Sequence, residues 1–183
     1  MIAVFGALEY ELRSIHKLLQ PEETSSQQPW RAFRAEYAGK EILLVHTGVG
    51  REKAEAATEG VLAHNPVSTL VSLGFAGALE QTLAPGDLVL CQHLLSNSDS
   101  ETCESDSELI AIAASVLQEG ATRFITGSTI TADHLVKAAS DKANLGSTFG
   151  AHIVEMESYW IAKTALVRKV PFLAVRAVSD TMD

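Results

Sequence analysis

The chain has 183 residues, 46% of them hydrophobic, which is enough to bury a full core within one domain, 1–183, with no linker. A formal net charge of -9 argues against a nucleic-acid polymer, which needs a basic face, and leaves a small neutral substrate as the better match. No apolar run is long enough to span a bilayer, and the start, Met1-Ile2-Ala3-Val4-Phe5-Gly6, lacks the basic flank and cleavage site of a signal peptide, so a cytoplasmic location is expected.

Taken in chain order, Ile2 to Phe5 predicts a strand ending at Gly6-Ala7, and Leu8, Leu12, Ile15 and Leu19 follow at helical spacing. Thr24 to Gln28 predicts a polar loop closed by Pro29, and Trp30 to Tyr37 and Glu41 to His46 predict two strands about Gly39-Lys40. Thr47-Gly48-Val49-Gly50 leads into a helix from Arg51 to Leu62. Thr69 to Leu73 is the next strand, followed by the glycine-rich turn Gly74-Phe75-Ala76-Gly77, and Pro85-Gly86 introduces a strand from Asp87 to Cys91. The serine-rich, acidic stretch from Ser96 to Glu108 predicts a mobile loop or a plain solvated connection. Beyond it come a helix from Leu109 to Leu117, a strand from Arg123 to Thr126, a helical segment from Leu135 to Ala139, a strand from Ile153 to Glu155, a helix from Ser158 to Val167 and a strand from Phe172 to Val178. This alternation predicts an α/β fold, a sandwich with a largely parallel or mixed sheet covered on both faces, in which ligands collect at the carboxyl ends of strands.

Several motifs are excluded by spacing. Gly48-Val49-Gly50-Arg51-Glu52-Lys53 follows a strand and opens a helix, but lysine stands where a dinucleotide fingerprint needs its third glycine. His46, His93, His134 and His152 show no ligand spacing, and Cys91 and Cys103 form no metal or redox motif, so neither a metal nor a cofactor is implied. No GxSxG elbow or Walker-type loop occurs. The stretch "IVEMES", residues 153–158, puts Glu155 and Glu157 at a strand-helix junction, where periodicity assigns neither acid to a site rather than to a solvated helix start. Ser179-Asp180 after a strand is equally compatible with a turn or a helix cap.

Five segments in order, "FGALEYEL", "GFAGAL" with "PGDLVL", "FITGSTIT", "VEMES" and "VPFLAVRAVSD", resemble the nucleoside phosphorylase and nucleosidase superfamily across nearly the whole chain. The resemblance is nearest the branch of methylthioadenosine/S-adenosylhomocysteine nucleosidases and hopanoid-associated phosphorylases. It implies a three-layer α/β/α sandwich with a mixed central sheet, cleavage of a purine nucleoside (a 5'-substituted adenosine) at its N-glycosidic bond, and a homodimer. By the same resemblance Glu11 deprotonates the attacking water and Asp180 protonates the purine at N7. Glu157 holds the ribose hydroxyls with Met156 beneath the sugar, and Ile130 and Thr131 contact the purine. Phe75, Ala76, Gly77, Glu155 and Ser179 complete the expected substrate surface, and Arg176 is expected to orient Glu157 or the site, or else to be an ordinary surface or interface arginine.

The chemistry agrees with that set. An oxocarbenium-like sugar and a departing base need a carboxylate near the positive charge and an acid for the base, so Asp180 is expected to have a raised pKa and Glu157 to stay ionised. Phe75 stands where many relatives have serine, and Ser72 where phosphorolytic relatives have arginine, which favours water over phosphate unless Arg51 supplies the missing cation. Relatives continue past "SD" with a further helix whereas this sequence ends at Asp183, so a frayed site or completion by a partner chain is expected. The alternatives are phosphorolysis of an adenosyl-hopanoid-type nucleoside and a non-catalytic nucleoside-binding protein.

Overall fold

In the strands Ile2–Gly6 (β1) and Lys40–His46 (β4), alternate residues pack to opposite sides. The structure, a computed structural model, describes residues 1–25 and 29–182. Ala3, Phe5, Leu43 and Val45 join the main core with Ala54, Ala57 and Val61 of the helix Arg51–His64 (α2). Val4, Ile42 and Leu44 turn to the other face, where Ile15 and Leu19 of the helix Arg13–Leu19 (α1) cover them. A period of two in the strands therefore produces helix on both faces of the sheet, the expected three-layer arrangement.

Among the described residues, ten strands share one mixed sheet. Besides β1 and β4 these are Glu22–Ser25 (β2), Arg31–Tyr37 (β3), Thr69–Ala78 (β5), Leu88–Ser96 (β6), Asp99–Glu104 (β7), Phe124–Thr131 (β8), Ile153–Glu155 (β9) and Phe172–Asp180 (β10). β5 is the hub. It runs parallel to β1 and β10 and takes β9 antiparallel at its carboxyl end, while β6 and β8 connect β10 back to β9, so β5, β10, β6, β8 and β9 close a ring. The remaining helices are Ser107–Glu119 (α3), Ala139–Phe149 (α4) and Ser158–Val167 (α5). α5 is buried on most sides, which suits its run of Tyr159, Trp160, Ile161 and Ala162.

Several expected boundaries move. Gly74-Phe75-Ala76-Gly77 is strand rather than turn, because β10 pairs with it throughout and β9 joins at Gly77. The stretch from Ser96 to Glu108 is ordered: β7 pairs with β6, Lys163 of α5 binds Asp99 at 2.6 Å and Glu101 at 3.0 Å, and Asp106 caps α3 through the amides of Glu108 and Leu109. Its acids have tertiary partners that composition cannot reveal. Leu135 to Ala138 is not helical, and α4 begins only at Ala139. The expected loop from Thr24 to Gln28 is strand at Thr24 and Ser25, and residues 26–28 lie outside the described residues. Cys91 and Cys103 are buried free thiols, and burial pushes them up to about 12 and about 11.

Candidate active site

The carboxyl ends of β1, β5, β9 and β10 surround a cavity of about 550 Å³, the size of a small-molecule site. Glu11, Phe75, Ala76, Gly77, Glu155, Met156, Glu157, Ser179 and Asp180 all line it.

Glu11 lies in the connection between β1 and α1. The Leu8 amide donates to its Oε2 at 2.8 Å and the Phe75 amide to its Oε1 at 3.1 Å, so two separate strand ends fix one carboxylate. Gly74 makes the approach possible, since a Cβ there would come within 2.8 Å of Glu11 Oε1. Glu9, the neighbouring acid of "EYE", instead pairs with Arg31 in solvent.

The two acids of "IVEMES" have different duties. Glu155 Oε2 accepts from the Glu157 amide at 3.0 Å, from the Ser158 amide at 2.7 Å and hydroxyl at 2.9 Å, and from Arg176 Nη2 at 3.1 Å. Its Oε1 accepts from the Thr131 hydroxyl. Glu155 is thus the anion that takes up the first amides leading into α5 and the counter-ion of a buried arginine. Glu157 faces the cavity, and its Oε1 accepts from the Gly50 amide at 2.8 Å. Burial first, then the charges of Glu155 and Glu11, push the Glu157 carboxyl up to about 7 against the opposing Gly50 amide and Arg176. The shift runs against the expectation of an ionised Glu157, because a buried carboxyl shares its surroundings with two other acids.

Asp180 departs from expectation in the other direction. A bulge in β10 after Val178 sets it opposite Gly77, with its side chain half exposed. Burial tends to raise its pKa, but hydrogen bonds from Lys142 and Ser179 outweigh this and hold the carboxyl below its ordinary value. Lys142 of α4 is 2% exposed and donates to both Asp180 Oδ2 and the Thr181 carbonyl. The sequence reading missed it because α4 is built from Ser140, Asp141, Asn144, Gly146 and Ser147, weak helix formers that gave no helical signal.

Arg176 is buried and is no surface residue. It donates to the Ser72 carbonyl at 3.0 Å and hydroxyl at 2.9 Å as well as to Glu155, so it orients Glu155 rather than Glu157. Ile130 and Thr131 do not face the cavity. Ile130 packs with Leu79 and Val154, and the Thr131 hydroxyl is used by Glu155 and by the Tyr159 amide, because both belong to a strand buried behind β9. The neighbouring wall is Val154, Leu135 and Val136, with His134 and Lys137 beside them, residues that carried no motif. At the rim the Phe75 ring stacks on Tyr10 with centroids 5.6 Å apart, and Leu8 and Val49 add apolar surface. Arg51 lies over Trp160 at 3.7 Å and pairs with Glu55 rather than lining the cavity.

Acids at strand ends around an apolar cleft, on a mixed sheet of this topology, define an α/β protein with a cavity of small-molecule size. The chain belongs to the phosphorylase superfamily, which it matches over residues 1–183. It is similar to the 5'-methylthioadenosine/S-adenosylhomocysteine nucleosidase of Staphylococcus epidermidis, with 26% identity over 98% of this chain and 86% of the relative. Among solved structures it is similar to the Neisseria meningitidis nucleosidase of the same name in complex with methylthio-immucillin-A, at TM-score 0.93 and 26% identity, covering 100% of this chain and 86% of that one. Its fold also matches a futalosine hydrolase of Helicobacter pylori at TM-score 0.92 and 24% identity, covering 100% and 85%.

Proposed function

We propose that this chain hydrolyses the N-glycosidic bond of a 5'-substituted adenosine, releasing adenine and the substituted ribose with water as the nucleophile. The observation that carries the reading is the meeting of Glu11, Glu157 and Asp180 around one cavity from three separate parts of the chain. Glu157 accepts the two ribose hydroxyls, with Met156 against the sugar. Glu11, held by two amides, takes the proton of the attacking water and faces the positive charge that grows on the sugar. Asp180 meets N7 of the departing purine, which rests between the Ala76-Gly77 strand and the apolar wall of Val154 and Val136.

Water is favoured because the two buried cations near the site are already engaged, Arg176 by Ser72 and Glu155 and Lys142 by Asp180. An incoming phosphate would have to compete with those carboxylates. The apolar rim of Phe75, Tyr10, Leu8 and Val49 suits an apolar 5' substituent, and it is also what supports the second reading, phosphorolysis of an adenosyl nucleoside with a bulky apolar tail. A homodimer is part of the proposal, supported by apolar side chains left exposed at the rim, Val49, Phe75 and Leu135 among them.

The test is adenine release from a panel of 5'-substituted adenosines with and without phosphate. Hydrolysis predicts release at the same rate in both, phosphorolysis a strict need for phosphate, and a binding protein tight association in calorimetry with no release. Asp180→Asn should lower kcat by about 10²–10⁴-fold, the usual contribution of a positioned acid, measured at a temperature where the variant is folded, since the buried Lys142 loses its counter-charge and Tm should fall as well.

A further inference from the structure

The structure poses a problem of proton supply. An ordinary aspartate is ionised at neutral pH and has no proton to give, yet a purine leaves poorly as an anion. Asp180 offers one side to the cavity and the other to Lys142, whose Nζ is buried within α4 and touches both Asp180 Oδ2 and the Thr181 carbonyl. The other donor on the carboxylate, the Ser179 hydroxyl, has a single proton placed between the Ala76 carbonyl and Asp180 Oδ1. Gly77 leaves room for the pair: a Cβ there would lie 3.1 Å from Asp180 Oδ2 and 3.4 Å from Lys142 Cε. Lys142, sealed from solvent at the end of a four-carbon stem, holds an N–H proton against the back of a site carboxylate that also faces the cavity.

We propose that Lys142 is the positioning residue that supplies the leaving-group proton through Asp180, an inference that rests on the reading of Asp180 as the residue at purine N7. In the step, an Nζ–H bond of Lys142 breaks as an O–H bond forms on Asp180, and that same proton then passes from Asp180 to N7, leaving Asp180 a carboxylate again. The bond from C1' to N9 breaks, its electron pair going to the base, while the water oxygen bonds to C1' and gives its proton to Glu11. Lys142 is left as the neutral amine and Glu11 as the acid. After product release Glu11 loses its proton to solvent and Lys142 regains one, so the cycle closes with one water consumed and no net proton change in the protein.

The role separates from a merely structural one by changing the leaving group. The wild type, Lys142→Met and Lys142→Arg are assayed on 5'-methylthioadenosine and on the matching 4-nitrophenyl 5-methylthioriboside, whose nitrophenolate leaves without protonation. For Lys142→Met the expected result is a kcat on the nucleoside lower by about 100-fold or more with KM within about threefold, and aryl riboside turnover within about threefold of wild type. Lys142→Arg keeps the positive charge opposite Asp180, but a guanidinium does not surrender its proton, so the same contrast is expected. Wild-type kcat on the nucleoside in either folded variant, or an equal loss on both substrates, overturns the inference alone. No turnover of the nucleoside by the wild type overturns the functional reading, and this inference with it.

Discussion

Glu155 and Glu157 are two residues apart, yet one is a structural anion and the other a cavity-facing acid, and the difference comes from what surrounds each. Glu155 neutralises Arg176 and accepts from the Ser158 amide that opens α5. Glu155→Gln should therefore cost about 3–5 kcal/mol of stability, measured by denaturant unfolding, because it strands a buried guanidinium. Glu157→Gln should leave the fold intact and lower activity far more than any loss traceable to unfolding. The raised Glu157 carboxyl carries a pH signature as well. Two ribose hydroxyls donating to it favour the ionised form, so nucleoside binding at pH 6 should release about one proton, falling toward none at pH 8. Calorimetry in two buffers of different ionisation enthalpy reads this directly, and no buffer dependence at pH 6 would contradict the assignment of Glu157 to the ribose.

At the level of elements, α3 is a case where local chemistry decides the start of a helix. Asp106 accepts from the amides of Glu108 and Leu109, and Asp106→Ala should lower stability by about 1 kcal/mol, seen as a fall in Tm with activity retained. The same region shows what a sequence reading can and cannot reach. Strands such as β1, β4 and β10 were legible because their apolar runs are long and bounded by glycine or proline. β7 was not, since its acids are satisfied by Lys163, a residue about 60 positions away whose proximity only the folded chain creates. Glu11, Glu157 and Asp180, which line the cavity, each stand in a motif near a strand end and so were visible as candidates. Lys142 was missed because it lies in a helix without apolar periodicity, and Ile130 and Thr131 were misplaced because sequence adjacency to a site motif does not say which face of a buried strand a side chain takes.

For the whole molecule, the site imposes a cost on the fold. The folded protein holds the Glu157 proton up to about 7, whereas the unfolded chain loses it near 4.5, so the unfolded form sheds that proton first as pH rises. The contribution of Glu157 is thus fully present below pH 4.5 and is lost as pH rises through 7, with a slope of up to about 1.4 kcal/mol per pH unit. Thermal melts of the empty protein should show this fall between pH 5 and 7, and Glu157→Gln should flatten it. The closed ring of β5, β10, β6, β8 and β9 is what sustains such a cost, since it locks the strand ends that carry the acids. The central claim, hydrolysis of an adenosine-type N-glycosidic bond by these acids, is tested most directly by following adenine release from 5'-methylthioadenosine in phosphate-free buffer and again after phosphate is added. The account predicts release in both at one rate with free methylthioribose as the co-product; release only with phosphate, giving a ribose 1-phosphate, or no release at all, would contradict it.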